Sequence, residues 1–198
     1  MLEHQRCPWA QQQLRDFHDY EWAVPVTDEN ELFKLLALQV WQSGLSQQIL
    51  LRKRPVICAT FHDLAPEWLR QTDVTVLLAL LDNPALIRNR RKLIALQHNA
   101  FALQQLQQQG ETLQHLLWQQ SRPTHFTTAM AIPRYDETAV TLAAQLKKAG
   151  FQFMGPTNCY ALLARTGVLN LHLTSCWRYS MINQAQQVAK QSLGFQLA

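Results

Sequence analysis

The chain contains no apolar run approaching the roughly 20 residues that a membrane-spanning helix needs, and its opening MLEHQRCPWA lacks the apolar core of a signal peptide. A soluble, cytoplasmic protein with no membrane partner is therefore expected. Cysteine is scarce. Cys7, Cys58, Cys159 and Cys176, without a secretion signal, point to thiols or metal ligands instead of disulfides. Acidic residues are missing from two regions: none lies between Asp82 and Glu111, and none follows Glu137. The first gap holds Arg88, Arg90, Arg91 and Lys92, so the modest net charge of +4 is regional, as in a protein that presents one face to phosphates. A small excess of cations that merely keeps the chain soluble fits the same numbers. Strand patterning is also missing, which predicts an all-α fold. The 47% hydrophobic content of 198 residues is enough for a core without covalent staples.

The stretch Asp73 to Gln109 is the centre of the pattern. An apolar helical run (Val74, Leu77, Leu78, Leu81) meets Asp82-Asn83-Pro84-Ala85, and a second helical run follows with the four cations in its first turns. Pro84 fixes φ, and Asp82 or Asn83 can bond back to the backbone, so a tight turn is predicted. Cations beside unpaired amides at a helix start make a clamp for a nucleic-acid backbone, although an ordinary helix with a solvated basic face has the same pattern.

Around it, Leu2 to Pro25 reads as loops with a short helix near Gln11 to Phe17. Asp28 with Glu31 forms a capping box for a helix that ends near Ser43-Gly44. A helix from Ser46 is predicted to stop at Pro55, with a short one near Cys58 to Phe61. Pro66 opens Glu67 to Gln71. Helices are also expected over Thr112 to Gln120, Asp136 to Ala149 and Thr157 to Thr166, the last two closed by Gly150 and Gly167. Pro123 to Pro133 reads as an extended connection, and Ala185 to Gln196 as a Gln-rich helical tail.

His172-x3-Cys176 spaces two ligands four apart, on one face of a helix, where both reach one tetrahedral ion. One pair does not make a site. Cys7 and His18 would complete Cys₂His₂ and tie the chain's two ends, but by spacing alone Cys58, Cys159 and His98 are equally available.

These blocks resemble, in order from Arg6 to Cys176, the DNA 3-methyladenine glycosylase I family of helix-hairpin-helix enzymes. The matching residues are Arg6-Cys7-x-Trp9, His18-Asp19-x-Glu21-Trp22, Leu32-Phe33, Gln42-x-Gly44-Leu45-Ser46, Lys53-Arg54, Ile87-Arg88-Asn89-Arg90, Lys92, Lys147-Lys148, Gly150-Phe151, Phe153, Gly155, Thr157, Cys159-Tyr160 and Gly167-x-x-Asn170-x-His172-x3-Cys176.

The resemblance implies one glycosylase unit over 1–198, with a lobe over 28–112 that carries the hairpin. A second lobe, 1–27 with 113–198, is joined by one structural zinc on Cys7, His18, His172 and Cys176. It implies a monomeric N-glycosyl hydrolase of base-excision repair that flips an alkylated purine from double-stranded DNA and releases the free base. Alkylation at N3 makes the base a cationic leaving group that needs little acid catalysis, and water completes the hydrolysis. Gln42, Gly44 and Leu45 match the wedge that enters DNA at the vacated base position, and Ala85, Leu86, Ile87, Arg88, Asn89 and Lys92 the DNA-binding hairpin. Trp9 and Trp22 would line the base pocket, although two tryptophans also suit plain packing.

Several positions depart from the family. Gln39 stands where the family has a base-reading glutamate, Phe17 where it has a tyrosine and Gln47 where it has a stacking tryptophan. Ala85 and Ala23 replace glycines. An amide keeps an acceptor but loses the charge that attracts a cationic base. The alternative to an active enzyme is thus a zinc-containing DNA-binding homologue with lost or altered excision.

Overall fold

The computed structural model describes residues 5–195 and is helical throughout, with no strand among them and a single isolated parallel bridge, Phe126 to Leu173. The expectations for Leu2 to His4 and for Gln196 lie outside the described residues. Ten α-helices follow in order: α1 Arg15–Tyr20, α2 Glu29–Gln42, α3 Gln47–Thr60, α4 Pro66–Gln71, α5 Val74–Ala79, α6 Arg90–Gln108, α7 Leu113–Trp118, α8 Glu137–Lys148, α9 Pro156–Arg165 and α10 Arg178–Ser192. No helix in the described residues is long and apolar enough to cross a membrane.

Helix α2 is the axis of the molecule. Asp28 starts it by accepting the Glu31 amide at 2.9 Å, as the capping pattern predicts. Leu32, Phe33, Leu36, Ala37, Leu38, Val40 and Trp41 are almost wholly buried, so its apolar residues face neighbours on every side. Those neighbours include α3, α4, α6, α7 and α9. Glu29 on the first turn also caps α7, accepting the Leu113 and Gln114 amides at 2.8 Å each. One side chain thereby fixes the start of another helix. Buried hydrophobic residues from α2 to α9 merge into a single cluster.

Three boundaries differ from the sequence expectation. Pro55 does not stop a helix, because α3 runs through it to Thr60, with Pro55 on the exposed face. Proline removes one ladder bond and crowds the carbonyl four residues back, but a solvent-facing position lets the helix bend and water take the freed group. The tail helix begins at Arg178, earlier than its polarity suggested, because Ile182, Gln186 and Ala189 face inward and Gln186 donates to the Gly167 carbonyl at 2.7 Å. His172 and Cys176 are not on a helix. They lie on the turn that precedes α10, where the Cys176 amide bonds the Leu173 carbonyl at 2.8 Å.

The end of α9 is pressed against the N-terminal segment. Val26 donates to the Thr166 carbonyl at 3.0 Å, and a Cβ on Gly167, which has φ +75°, would lie 2.5 Å from Pro25 N. Gly110 has a similar φ of +80° but open space around it. Gly110→Ala should therefore cost about 1 kcal/mol, the conformational term alone. Gly167→Ala should cost at least about 2 kcal/mol more, because rigid backbone has to move. Urea unfolding of the two variants reads the difference.

Candidate active site and metal-ligand cluster

Cys7, His18, His172 and Cys176 meet in the interior, all four buried, with their ligand atoms within 4.8 Å of one another. His18 Nε2 lies 3.2 Å from His172 Nδ1 and 3.5 Å from Cys176 Sγ, and His172 Nδ1 lies 3.6 Å from Cys176 Sγ and 3.7 Å from Cys7 Sγ. Ordinary metal–ligand bond lengths arranged tetrahedrally give edges of about 3.3 Å between nitrogens and about 3.6 Å between sulfur and nitrogen. The cluster already has those edges.

Partners around the cluster set the imidazole tautomers. His18 Nδ1 donates to Asp19 Oδ1 at 2.8 Å, and His172 Nε2 donates to the Trp22 carbonyl at 3.2 Å. The bare nitrogens then face each other across 3.2 Å, an arrangement that repels unless a proton or a cation lies between them. Of the two thiols, a hydrogen bond from Cys7 favours the Cys176 thiolate against burial, while the same bond and then burial push Cys7 up. Burial would also raise the Asp19 carboxyl, but Arg6, gripping it at 2.8 and 3.0 Å, and His18 hold it down at about 2. Asp19 therefore stays a carboxylate beside His18. The donor set suits a tetrahedral metal ion.

The aromatic residues sit directly on this cluster. The Trp9 ring meets His18 at 5.1 Å and Trp22 at 5.5 Å, both edge-on, and Phe17 lies 5.8 Å from Trp22. Ala23, next to Trp22, keeps a φ of +59°, so its methyl carries the strain that a glycine would avoid. Gln39 is buried on α2, and its Nε2 donates to Asn158 Oδ1 on α9 at 3.4 Å. One turn further along, Gln42 shares the Arg165 guanidinium with Gln47, whose Oε1 accepts at 2.8 Å. The Arg165 guanidinium lies 5.5 Å over the Phe17 ring.

Residues Gln42 to Leu45 form a type II turn. Leu45 donates to the Gln42 carbonyl at 2.7 Å, Ser43 has φ −44° and ψ 119°, and Gly44 takes φ +75°. The hairpin turn behind it has the expected chemistry: Asn83 Oδ1 accepts the Ala85 amide at 2.9 Å, and Asn89 caps α6 by accepting the Lys92 amide at 3.1 Å. Ala85 has no positive φ, so this turn does not need glycine. Arg88 lies ahead of α6 and, like Arg90 and Arg91, is exposed.

Two hairpin residues depart from their expected DNA-contact role. The Leu86 side chain belongs to the core. Lys92 is buried and turned inward, its Nζ donating to the Trp41 carbonyl at 2.8 Å and to the Ser43 carbonyl. These are orphan acceptors at the end of α2, and the ammonium that satisfies them is not available to a phosphate.

With this geometry, the comparisons with known proteins agree. A sequence model of the methyladenine glycosylase family matches residues 8–179. The chain is 34% identical over 181 residues to DNA-3-methyladenine glycosylase 1 of Escherichia coli (strain K12), covering 88% of this chain and 97% of that one. The chain belongs to the methyladenine glycosylase family. A crystal structure of 3-methyladenine DNA glycosylase I superposes with a TM-score of 0.83 at 35% identity, covering 87% of this chain and 98% of that chain. A tyrosine-to-phenylalanine variant of 3-methyladenine DNA glycosylase I, in complex with 3-methyladenine, superposes with a TM-score of 0.83 at 28% identity, covering 88% of this chain and 97% of that chain.

Within this family frame, the sequence reading missed Arg165 and Asn158. Both lie on α9, which reads as apolar, and the one available signal was a lone cation in the last turn of that apolar helix. Lys92→Met keeps the stem's packing but leaves the Trp41 and Ser43 carbonyls without their donor. It is expected to cost about 2–3 kcal/mol in thermal or urea unfolding. Faster amide exchange at Ser43 to Leu45 should accompany that loss.

Proposed function

We propose that this chain is a base-excision DNA glycosylase that turns a modified purine out of duplex DNA and hydrolyses its N-glycosidic bond, releasing the free base. 3-Methyladenine, the base named for its relatives, is the reference substrate. The observation that carries the reading is the assembly, around one buried cluster, of the aromatic rings Trp9, Phe17 and Trp22, the amide Gln39 and the Gln42–Leu45 turn. Such an assembly supplies what flipping needs: ring faces and edges against the extruded base, a hydrogen-bonding reader and a wedge. A phenylalanine at the tyrosine position is compatible with base binding in a relative, since the tyrosine-to-phenylalanine variant holds 3-methyladenine.

In this reading the protein acts as a monomer in the cytoplasm on double-stranded DNA. The lobe over 28–112 presents the wedge and hairpin, and the segments before and after it carry the pocket. Gln42, Gly44 and Leu45 enter the duplex. Ala85, Ile87 and Asn89 place hairpin backbone beside a phosphate, and Arg88 with Arg91 supplies charge. Cys7, His18, His172 and Cys176 would hold one zinc ion as a structural site: two thiolates and two imidazoles suit it, and its charge would neutralise the thiolates and tie both segments together. Hydrolysis then rests on the pocket residues. They hold the base out of the stack, keep bulk water from its face and leave C1′ open to one water.

Three measurements test this. Incubation with methylated duplex DNA should produce abasic sites above the uncatalysed rate. Gln39→Glu should speed 3-methyladenine release by roughly tenfold, because a carboxylate attracts the cationic base. The absence of abasic sites from either protein would leave only the DNA-binding reading. Purified protein should carry one zinc per chain, lost with much of the stability in Cys176→Ser; a metal-free, equally stable natural chain would contradict the site. Arg88→Glu with Arg91→Glu should weaken binding equally across sequences and flatten the salt dependence by about one unit of slope or more.

A further inference from the structure

Gln39 on α2 reaches the first turn of α9 with one end of its amide, where Nε2 donates to Asn158 Oδ1 at 3.4 Å. Which atom of each amide lies at that contact is decided one step further on. Asn158 Nδ2 donates to the Phe153 carbonyl at 2.6 Å. A backbone carbonyl can only accept, so the Asn158 nitrogen is committed to that side and its oxygen is left facing Gln39. That oxygen also can only accept, so the Gln39 nitrogen is the end drawn to it. The bond is long, but its sense is fixed, because turning the Gln39 amide over would bring two oxygens together at the same 3.4 Å. Phe153 anchors this relay from an unusual backbone, φ +60° in a residue with a side chain. Such a conformation persists where surrounding bonds over-determine it, and the Asn158 amide supplies one of them.

Gln39 Oε1 is the atom left over. Among the described residues it accepts no hydrogen bond. The sealed side-chain atoms without a partner include Trp22 Nε1, Trp41 Nε1 and Gln47 Nε2 but not this oxygen, which therefore keeps accessible surface although Gln39 as a whole is only 4% exposed. Gln42, three residues on along the same face of α2, is bound by Arg165, whose guanidinium lies 5.5 Å over the Phe17 ring, so this face of the helix is tied to the aromatic cluster.

We infer that Asn158 is a positioning residue for base reading: it holds the Gln39 amide with Nε2 turned away and Oε1 presented, so that a side chain able to donate or accept acts as an acceptor alone. A base with an exocyclic amine donates to that oxygen, whereas a base with a carbonyl oxygen at the same place meets it oxygen to oxygen. An unrestrained glutamine makes no such choice, since its amide turns over to suit either partner. The pair thereby gives a neutral side chain the reading sense of a carboxylate, and it selects an aminopurine, the class to which 3-methyladenine belongs. The inference rests on the reading of Gln39 as the residue that meets the extruded base and adds what fixes the sense of that contact.

The test is binding of free 3-methyladenine and free 3-methylhypoxanthine, which differ by an amine against a carbonyl oxygen, read by tryptophan fluorescence, with abasic-site formation on methylated duplex DNA measured alongside. The proteins compared are the natural chain, Asn158→Leu, which is close in volume, Asn158→Ala should the leucine unfold the protein, Asn158→Asp, both of whose oxygens accept, and Gln39→Glu with and without Asn158→Leu. Zinc content and melting are checked for each. The natural chain should bind 3-methyladenine roughly tenfold to a hundredfold more tightly, the scale of one hydrogen bond set against one unpaired polar contact. Asn158→Leu should bring the two affinities together, with 3-methylhypoxanthine bound more tightly than by the natural chain, a gain that damage to the fold does not produce. Asn158→Asp should keep the preference. Both oxygens of Gln39→Glu accept, so adding Asn158→Leu to it should leave its preference unchanged. Equal loss of both bases in Asn158→Leu, no preference in the natural chain, or binding of neither base would overturn the inference. The preference without abasic sites would support the positioning role and refute the glycosylase reading, whereas abasic sites without the preference would refute the positioning role alone.

Discussion

Two imidazole nitrogens held 3.2 Å apart by partners on their far sides, with two thiols closing the same volume, are the constraint on which the rest of this molecule depends. Asp19 fixes one ring and the Trp22 carbonyl the other, so the residues that orient the ligands also adjoin the Trp9, Phe17 and Trp22 rings. Phe17 precedes a ligand, Trp22 supplies the carbonyl, and Trp9 packs edge-on against His18. A polar, weakly patterned N-terminal segment has little propensity of its own, and burial of Cys7, Ala10 and Phe17 accounts for few of its residues. Joining it to the turn before α10 is what gives the aromatic pocket a defined shape.

A second tie joins α2 to α6. Lys92 closes the end of α2 by binding the Trp41 and Ser43 carbonyls, and through them it fixes the Gln42–Leu45 turn to the start of α6. The Gln42–Leu45 turn and the start of α6 are therefore bonded directly to one another. Arg165 links that turn back to the aromatic cluster by holding Gln42 and Gln47 while lying over Phe17. Two buried cations thus bond oxygens of the segment 41–47.

Much of this was legible in the sequence where local chemistry decides. The Asp28 cap, the Asn83-Pro84 turn and the helices closed by Gly150 and Gly167 follow from side chains that act on their own backbone. Family blocks pointed to the four residues that meet in the buried cluster and to the Gln42–Leu45 turn. What escaped was decided by partners distant in sequence. Lys92 reads as one more cation of a basic run, and only the position of α2 turns it inward. Pro55 reads as a stop, and only its exposed face lets α3 continue. His172 and Cys176 read as helical by their spacing, whereas a turn brings them to the same point. Arg165 carries no local signal beyond being charged in an apolar helix, and its role depends on Phe17, Gln42 and Gln47, all more than a hundred residues away.

The central claim is that the Cys₂His₂ closure holds the pocket while the α2–α6 body stands without it. Hydrogen–deuterium exchange before and after treatment with a strong zinc chelator tests it most directly. Chelation should release protection in residues 6–24 and 168–178 and leave the interiors of α2 and α6 slow to exchange. Unchanged exchange in the N-terminal segment would contradict the account, as would a uniform loss of protection that includes α2 and α6.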